Sequence, residues 1–410
     1  MRSGVRAQLS LMMFLEYVVW GGWLPLLSTY LTGFRHFSGN QVAWIMNAFA
    51  IASVTAMLVS SQVADRYSST EKFLALSHLI GGLAMLSLAL QRSFWPFFLL
   101  MLLHAVFYVP TLSLANSISF AHLKDATRDF GIVRLWGTIG WIAASWPFVF
   151  LLRGRQGADL GQALTWIFIV SGGAGLLLAG WSFALPHTPP VRQAAARFAP
   201  LEVVKLLAVP SVLVLFVVTF LDATVHQCYF FWTGPYLVRL GLPENWIMPA
   251  MSIGQIAEIG TMAVLGLALK RLGWRTTMVV GILGHVLRFF VYSVADPSLL
   301  WLVVAINVVH GICYAFFFAS VYIFVDEWFP KDARASAQSL FNILILGAGP
   351  FVGNLLWGNL GDAYARAGAI AFQPIFRIAS GLGLLSAVLL FLFFRPEARP
   401  SVASASPAEV

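Results

Sequence analysis

The sequence predicts an all-α integral membrane protein of twelve transmembrane helices arranged as two six-helix halves. Three observations carry this. Of 410 residues, 59% are hydrophobic and 10% are charged, against roughly a quarter charged in a typical soluble domain, and mean hydropathy is +0.82. A water-soluble globule of this length could not hide so much apolar surface. Apolar runs of spanning length recur along the chain, and the basic residues between them alternate in number from one side to the other.

The runs fall at 9–31, 41–63, 73–91, 94–117, 132–152, 163–185, 209–237, 246–269, 276–294, 298–324, 335–360 and 373–394. A spanning helix needs roughly 20 apolar residues, whereas a barrel strand needs about 10. Run length therefore selects helices. The first run follows Arg2 and Arg6. It is too long for a signal-peptide core and lacks a clean small-residue cleavage site, so it reads as the first membrane helix. The longest internal polar connection, PHTPPVRQAAARFAPLEVVK at 186–205, is basic, Pro-rich and near the middle. It divides an N-terminal half (1–186) from a C-terminal half (207–396), with a central cytoplasmic loop at 187–206 and a tail at 397–410 that is expected to be disordered.

Orientation follows from the 25 Lys and Arg. With the N-terminus in the cytoplasm, six fall outside (Arg35, Arg92, Arg153, Arg155, Arg239, Arg366), three lie in or at the edge of helices (Arg134, Arg288, Arg377), and the remaining 16 are cytoplasmic. This asymmetry predicts both termini inside and an even number of spans. It also explains the net charge of +8 as topology rather than nucleic-acid binding. Cys228 and Cys313 sit in apolar segments, so no structural disulfide is expected. No HExxH, Ser/His/Asp grouping or Gly-Lys-Ser/Thr phosphate loop is present, so neither an enzyme, an ATP-driven pump, a metal site nor a cofactor is expected.

Function in such a chain is read from polar residues inside apolar runs, because a charge at mid-helix costs roughly 2.5–3.5 kcal/mol on insertion scales. Helix 1 carries Glu16, with Trp20 and Trp23 four and seven residues on and on one face. A carboxylate beside indoles suits a polar ring ligand; pairing to a neighbouring helix is the alternative. Helix 4 carries Tyr108, Pro110, Thr111 and Asn116, either lining a cavity or packing helices. In helix 5, Arg134, Thr138 and Trp141 share a face, although Arg134 could instead snorkel to the surface. Gly137 and Gly140 there allow close helix approach. Helix 7 places Asp222 four residues before His226, where they could pair or exchange a proton, with Gln227 beside them. Helix 8 carries Gln255 and Glu258 three apart, a ligand-reading amide and a candidate proton carrier. Arg288 in helix 9 is the nearest plausible cationic partner of Glu258, and a static pair is the alternative reading. In helix 10, Tyr314 is the aromatic whose hydroxyl needs a partner.

The run Ala64-Asp65-Arg66 after helix 2 resembles the loop signature of major facilitator transporters, with Ser61 and Val63 in place of its Gly and Leu. An acid at such a helix end can hold one conformation by pairing across the halves. Together with FLEYVVWGGW, YVPTLSLANSISF, RLWGTIGW, SIGQIAEI, LRFFVYSVADP, HGICYAFFF and RASAQSL, this makes nearly the whole chain resemble the nucleoside:proton symporter family of the major facilitator superfamily. The resemblance implies that Arg134, Thr138, Gln227, Gln255 and Glu258 contact the nucleoside or the coupling proton, with Trp141 and Tyr314 in matching aromatic positions. Trp20, from the helix 1 reading, joins the substrate set, and Glu258, Arg288, Glu16 and Asp222 form the candidate proton-coupling set. Two positions depart from the family pattern: Ala315 stands for an Asp in helix 10, and Phe230 for an Asn one turn after Gln227. The expectation is a functional monomer in a bacterial inner membrane that imports nucleosides with protons by alternating access, or the same fold carrying a sugar or an aromatic compound.

Overall fold

The computed structural model describes residues 3–67, 69–123, 126–189, 207–329, 331–366 and 368–395. In lipid the backbone must satisfy its own hydrogen bonds, and nearly all of the described chain is helical. The N-terminal half contains α1 (Gly4–Gly33), α2 (Gly39–Tyr67), α3 (Thr70–Leu88), α4 (Phe94–His122), α5 (126–151) and α6 (Gly157–Ser182). The C-terminal half opens with α7 (Pro210–Arg239). The run Ile247–Val294 then follows as 48 residues. Unbroken it would be about 72 Å long, more than twice the roughly 30 Å hydrocarbon core. It breaks at Gly273, whose φ of 73° is left-handed and suits glycine, giving α8 (247–272) and α9 (274–294). The half closes with α10 (Pro297–Trp328), α11 (331–363), a short antiparallel pair, β1 (Ala365–Arg366) and β2 (Ala369–Ile370), and α12 (Phe372–Phe393).

Nine stretches of the described residues are apolar and long enough to span by themselves, and one of them, Glu244–Val294, contains both α8 and α9. With α2 and α5 the chain makes the twelve passes that the sequence predicts. Large apolar side chains such as Trp95, Phe150, Phe183 and Trp301 stand more than half exposed around the bundle, where lipid would cover them.

Within the first half, α1 packs on α5 and α6, and α3 on α4 and α6; within the second, α7 packs on α11 and α12, and α8 and α9 on α10 and α12. Small residues permit the closest crossings. A Cβ at Gly140 of α5 would stand 2.2 Å from the Phe14 carbonyl of α1, and one at Gly353 of α11 would stand 2.9 Å from the Thr224 carbonyl of α7. Cys228 and Cys313 are buried free thiols.

The halves meet mainly along α2 against α11, then along α1 against α7 and α5 against α8. At the face opposite the central connection, the Asp362 carboxylate of α11 accepts the backbone N–H groups of Gly39 (2.6 Å) and Asn40 (2.9 Å) at the start of α2. Asn40 also donates to Asn359 at 3.0 Å. A helix start leaves its first amides without intrahelical partners, so the second half caps the first. Asn245, before α8, donates to the Val149 carbonyl at 3.3 Å and joins the halves at the same face. On the other face, Glu71 at the start of α3 accepts the Thr188 N–H at 3.0 Å and contacts His187 at 2.7 Å, fixing the first residues of the central connection. The predicted loop from 190 to 206, the tail at 397–410 and the side chains of Asp65 and Arg66 lie outside the described residues.

Candidate functional site

Between the halves lies a cavity of about 580 Å³, within the roughly 300–1,000 Å³ of small-molecule sites. Its walls come from α1, α2, α4 and α5 on one side and α7, α8, α10 and α11 on the other. The lining continues toward the face of the central connection, to Tyr322, Ser339 and Asn342, while the opposite face is closed by the contacts around Asp362 and Asn245.

All eight residues of the predicted substrate set border this cavity: Trp20, Arg134, Thr138, Trp141, Gln227, Gln255, Glu258 and Tyr314. The aromatic wall is built by Trp20, stacked on Phe49 at 4.8 Å and edge-on to Trp141 at 5.4 Å. Trp141 meets Phe230 at 6.4 Å, so the residue that replaces the family's Asn completes an apolar face.

The charged wall is formed by Arg134 and Glu258. Arg134 does not snorkel: its guanidinium lies 4.3 Å from the Tyr17 ring centre, a cation–π distance. Arg134 is the cation whose charge reaches Glu258, and both charges reach Tyr314. Arg134 and Glu258 thus face the same cavity from opposite halves with no ion pair closed between them, and Arg288 bonds His285 and His310 rather than Glu258. Gln255 is buried, and its Oε1 has no hydrogen-bond partner among the described residues. A buried acceptor without a donor is costly, and this one borders the cavity. Tyr314 opens a π-helical turn, Tyr314–Ala319, of the kind found where a helix is re-aimed at a site. Ala315, next in that turn, is fully buried and outside the lining.

Gln227 shows a role that sequence spacing does not contain. Its Nε2 donates to Asn354 Oδ1 of α11 at 2.9 Å, and Asn354 donates to Asn47 Oδ1 of α2 at 2.9 Å. This amide chain joins the halves beside the cavity. Asn47 and Asn354 were detectable in principle as lone amides in the apolar strings WIMNAF and GNLLW.

The remaining candidates lie behind the walls. Glu16 points into the first half, fully buried; it accepts from Thr111 Oγ1 at 2.6 Å and pairs with His78 Nε2 at 2.9 Å. Tyr108 donates to its backbone carbonyl at 2.7 Å. Thr111 thus serves Glu16, whereas Pro110 and Asn116 of the same helix line the cavity. Asp222 faces His285 of α9 at 3.5 Å rather than His226. Arg288, also fully buried, donates to His285 Nδ1 and His310 Nδ1, each at 3.0 Å.

Twelve helices in two halves around one polar, aromatic-walled cavity define a secondary transporter of the major facilitator type, not an enzyme. The chain belongs to the nucleoside H+ symporter family, whose model matches residues 3–399. It is 32% identical over 403 residues to the putative nucleoside transporter YegT of Escherichia coli (strain K12), covering 95% of this chain and 93% of that one. Xanthosine permease of the same organism is 28% identical over 409 residues, covering 95% and 96%. The crystal structure of the nucleoside transporter NupG is similar over 97% of this chain and 100% of that one, with a TM-score of 0.86 at 25% identity. A D-xylose–proton symporter, with a TM-score of 0.75 at 13% identity over 95% of this chain and 97% of that one, shares the fold.

Proposed function

We propose that this chain imports nucleosides together with protons through the central cavity by alternating access. Membership of the nucleoside H+ symporter family supports the cargo. The observation that carries the site is the opposition of Arg134 and Glu258 between the halves, beside aromatic faces and the unpartnered Gln255. The base stacks against Trp20, Trp141 and Phe230, whose faces suit a flat heterocycle. Gln255, Gln227, Thr138 and Tyr314 offer donors and acceptors to the ribose and the base edge. Glu258 carries the coupling proton. Loaded, it is neutral beside Arg134; unloaded, it is a carboxylate that this cation attracts across the cavity. Proton and solute thereby bias the same gap between the halves.

The boundaries that support rocking of two bodies are the halves 1–186 and 207–396, joined by the loop at 187–206. The excess of basic residues on the side of that loop supports placing both termini in the cytoplasm of a bacterial inner membrane. The cavity then opens inward. Both bodies that rock belong to one polypeptide, and the expected functional unit is a monomer.

The test is uptake of labelled uridine and adenosine into proteoliposomes under an imposed pH gradient. Glu258→Gln is expected to abolish pH-driven accumulation, and unchanged accumulation removes Glu258 from coupling. A second reading, transport of another aromatic solute, is favoured by Phe230, which makes the wall less polar than the family pattern. Uptake of a labelled non-nucleoside aromatic compound or sugar, with no uptake of either nucleoside, would establish transport of another solute instead.

A further inference from the structure

Behind the C-terminal wall of the cavity lies a cluster of ionisable groups that solute binding does not use. Asp222 is fully buried, and neither carboxylate oxygen has a hydrogen-bond partner among the described residues. A carboxylate in this position ordinarily keeps two or more donors. The ionisable groups around it are His285 and Arg288 of α9 and Cys313 of α10; His226 follows one turn on along α7, and Asp222 does not face it in this structure.

The hydrogen bonds of Arg288 fix the protons of its neighbours. A guanidinium only donates. His285 Nδ1 and His310 Nδ1, which it contacts, must therefore both be acceptors. Both rings are neutral and carry their protons on Nε2. His285 Nε2 lies 3.5 Å from Asp222 Oδ2, and no hydrogen bond is closed between them. The order is thus Arg288, His285, Asp222: a buried cation, a neutral ring and a carboxylate, with no direct ion pair. The guanidinium also rests 4.3 Å from the Tyr229 ring centre, and its Nε has no partner among the described residues.

The cluster has an opening. His226 and His310 stack at 5.1 Å and both border the cavity. His226 Nδ1 is buried with no partner among the described residues.

We propose that Asp222, His285, Arg288 and His310 form a second proton-binding centre, reached from the solute cavity through His226 and His310. It rests on the proton-coupled reading above. A hydronium ion in the cavity gives its proton to His226 Nδ1 once the ring turns that buried atom toward the cavity; water is left and the imidazole becomes a cation. Asp222, which faces His285 in this structure, takes the proton when the two i,i+4 side chains of α7 turn toward each other: the N–H bond breaks as an O–H bond forms, and the imidazole returns to neutral. Loading Asp222 removes the negative charge that balances Arg288 through His285. The attraction between α7 and α9 weakens as a result. Gln227, next in α7, holds the amide chain to Asn354 and Asn47, so the charge state of Asp222 acts on a contact between the halves.

The experiment uses the full chain in proteoliposomes and measures both solute exchange without a gradient and accumulation under a gradient of one pH unit. One coupled proton supports about tenfold accumulation there. Wild-type protein is expected to accumulate solute. Asp222→Asn is expected to equilibrate it without accumulation, with exchange retained, and Asp222→Glu to restore accumulation. Wild-type exchange without accumulation would defeat the coupled reading itself. Accumulation by Asp222→Asn equal to wild type would overturn the second centre and leave that reading standing. A measurement independent of whether Asp222→Asn folds is pH-difference infrared spectroscopy of Glu258→Gln and Glu16→Gln. A titrating band at the high C=O frequency of a desolvated carboxyl, above the bands of water-exposed carboxyls, is expected to persist in both; loss of every such high-frequency band in Glu258→Gln overturns the proposal.

Discussion

The two halves carry the same device on corresponding helices and finish it differently. In the first, an acid on α1, Glu16, meets a histidine on α3, His78, at 2.9 Å. In the second, an acid on α7, Asp222, meets a histidine on α9, His285, at 3.5 Å. α4 completes the first site with the Thr111 hydroxyl at 2.6 Å, and both Glu16 oxygens are satisfied. α10 brings His310, which binds Arg288 and leaves both Asp222 oxygens bare. A satisfied buried network fixes one packing, whereas a half-satisfied one is poised to change. Burial of an acid in a membrane bundle does not by itself mark a coupling group; the count of its partners does.

The sharpest way to break the comparison is to delete both acids. Glu16→Ala strands His78 and Thr111, and removal of one member of a buried pair costs about 3–5 kcal/mol. Its melting temperature in detergent should fall the furthest of the variants described. Next is the packing that holds α1 in place. Gly140→Ala puts a methyl group against the Phe14 carbonyl, and such overpacking costs about 1–3 kcal/mol. Gly353→Ala, where the corresponding clearance is wider, should lower the melting temperature less. The smallest effect on stability is expected for Asp222→Asn. It breaks no hydrogen bond among the described residues and mimics the proton-loaded state, so its melting temperature should fall the least of the four. Equal destabilisation by the Glu16 and Asp222 substitutions would show that the second acid is as structural as the first.

Much of this was legible in the sequence. The spans follow from run length, and Arg134, Gln255 and Glu258 stood out because charge and amide groups are expensive in lipid. Periodicity ties a residue to its own helix and stops there. Glu16 and Trp20 lie one turn apart, yet the cavity edge runs between them, so one packs inside the half and the other faces the solute. Asp222 and His226 make a natural pair by spacing, but the carboxylate turns to His285, 63 positions away in the chain. Arg288 sits among groups from three helices, and the cation that shares the cavity with Glu258 comes from the other half. The Gln227–Asn354–Asn47 chain spans over 300 positions of sequence, and only the crossing of α2 and α11 brings it together.

That crossing has a consequence for genetics. Where Asp362 clasps the start of α2, one partner is a side chain and the other is the peptide backbone of Gly39 and Asn40. Ordinary missense changes cannot delete an amide hydrogen; only proline does. A selection for carriers unfastened at that face should therefore return lesions unevenly: many replacements at Asp362 remove both bonds at once, only proline removes the amide at position 40, and at position 39 any side chain acts, by wedging a Cβ against the Gly358 carbonyl rather than by deleting a bond.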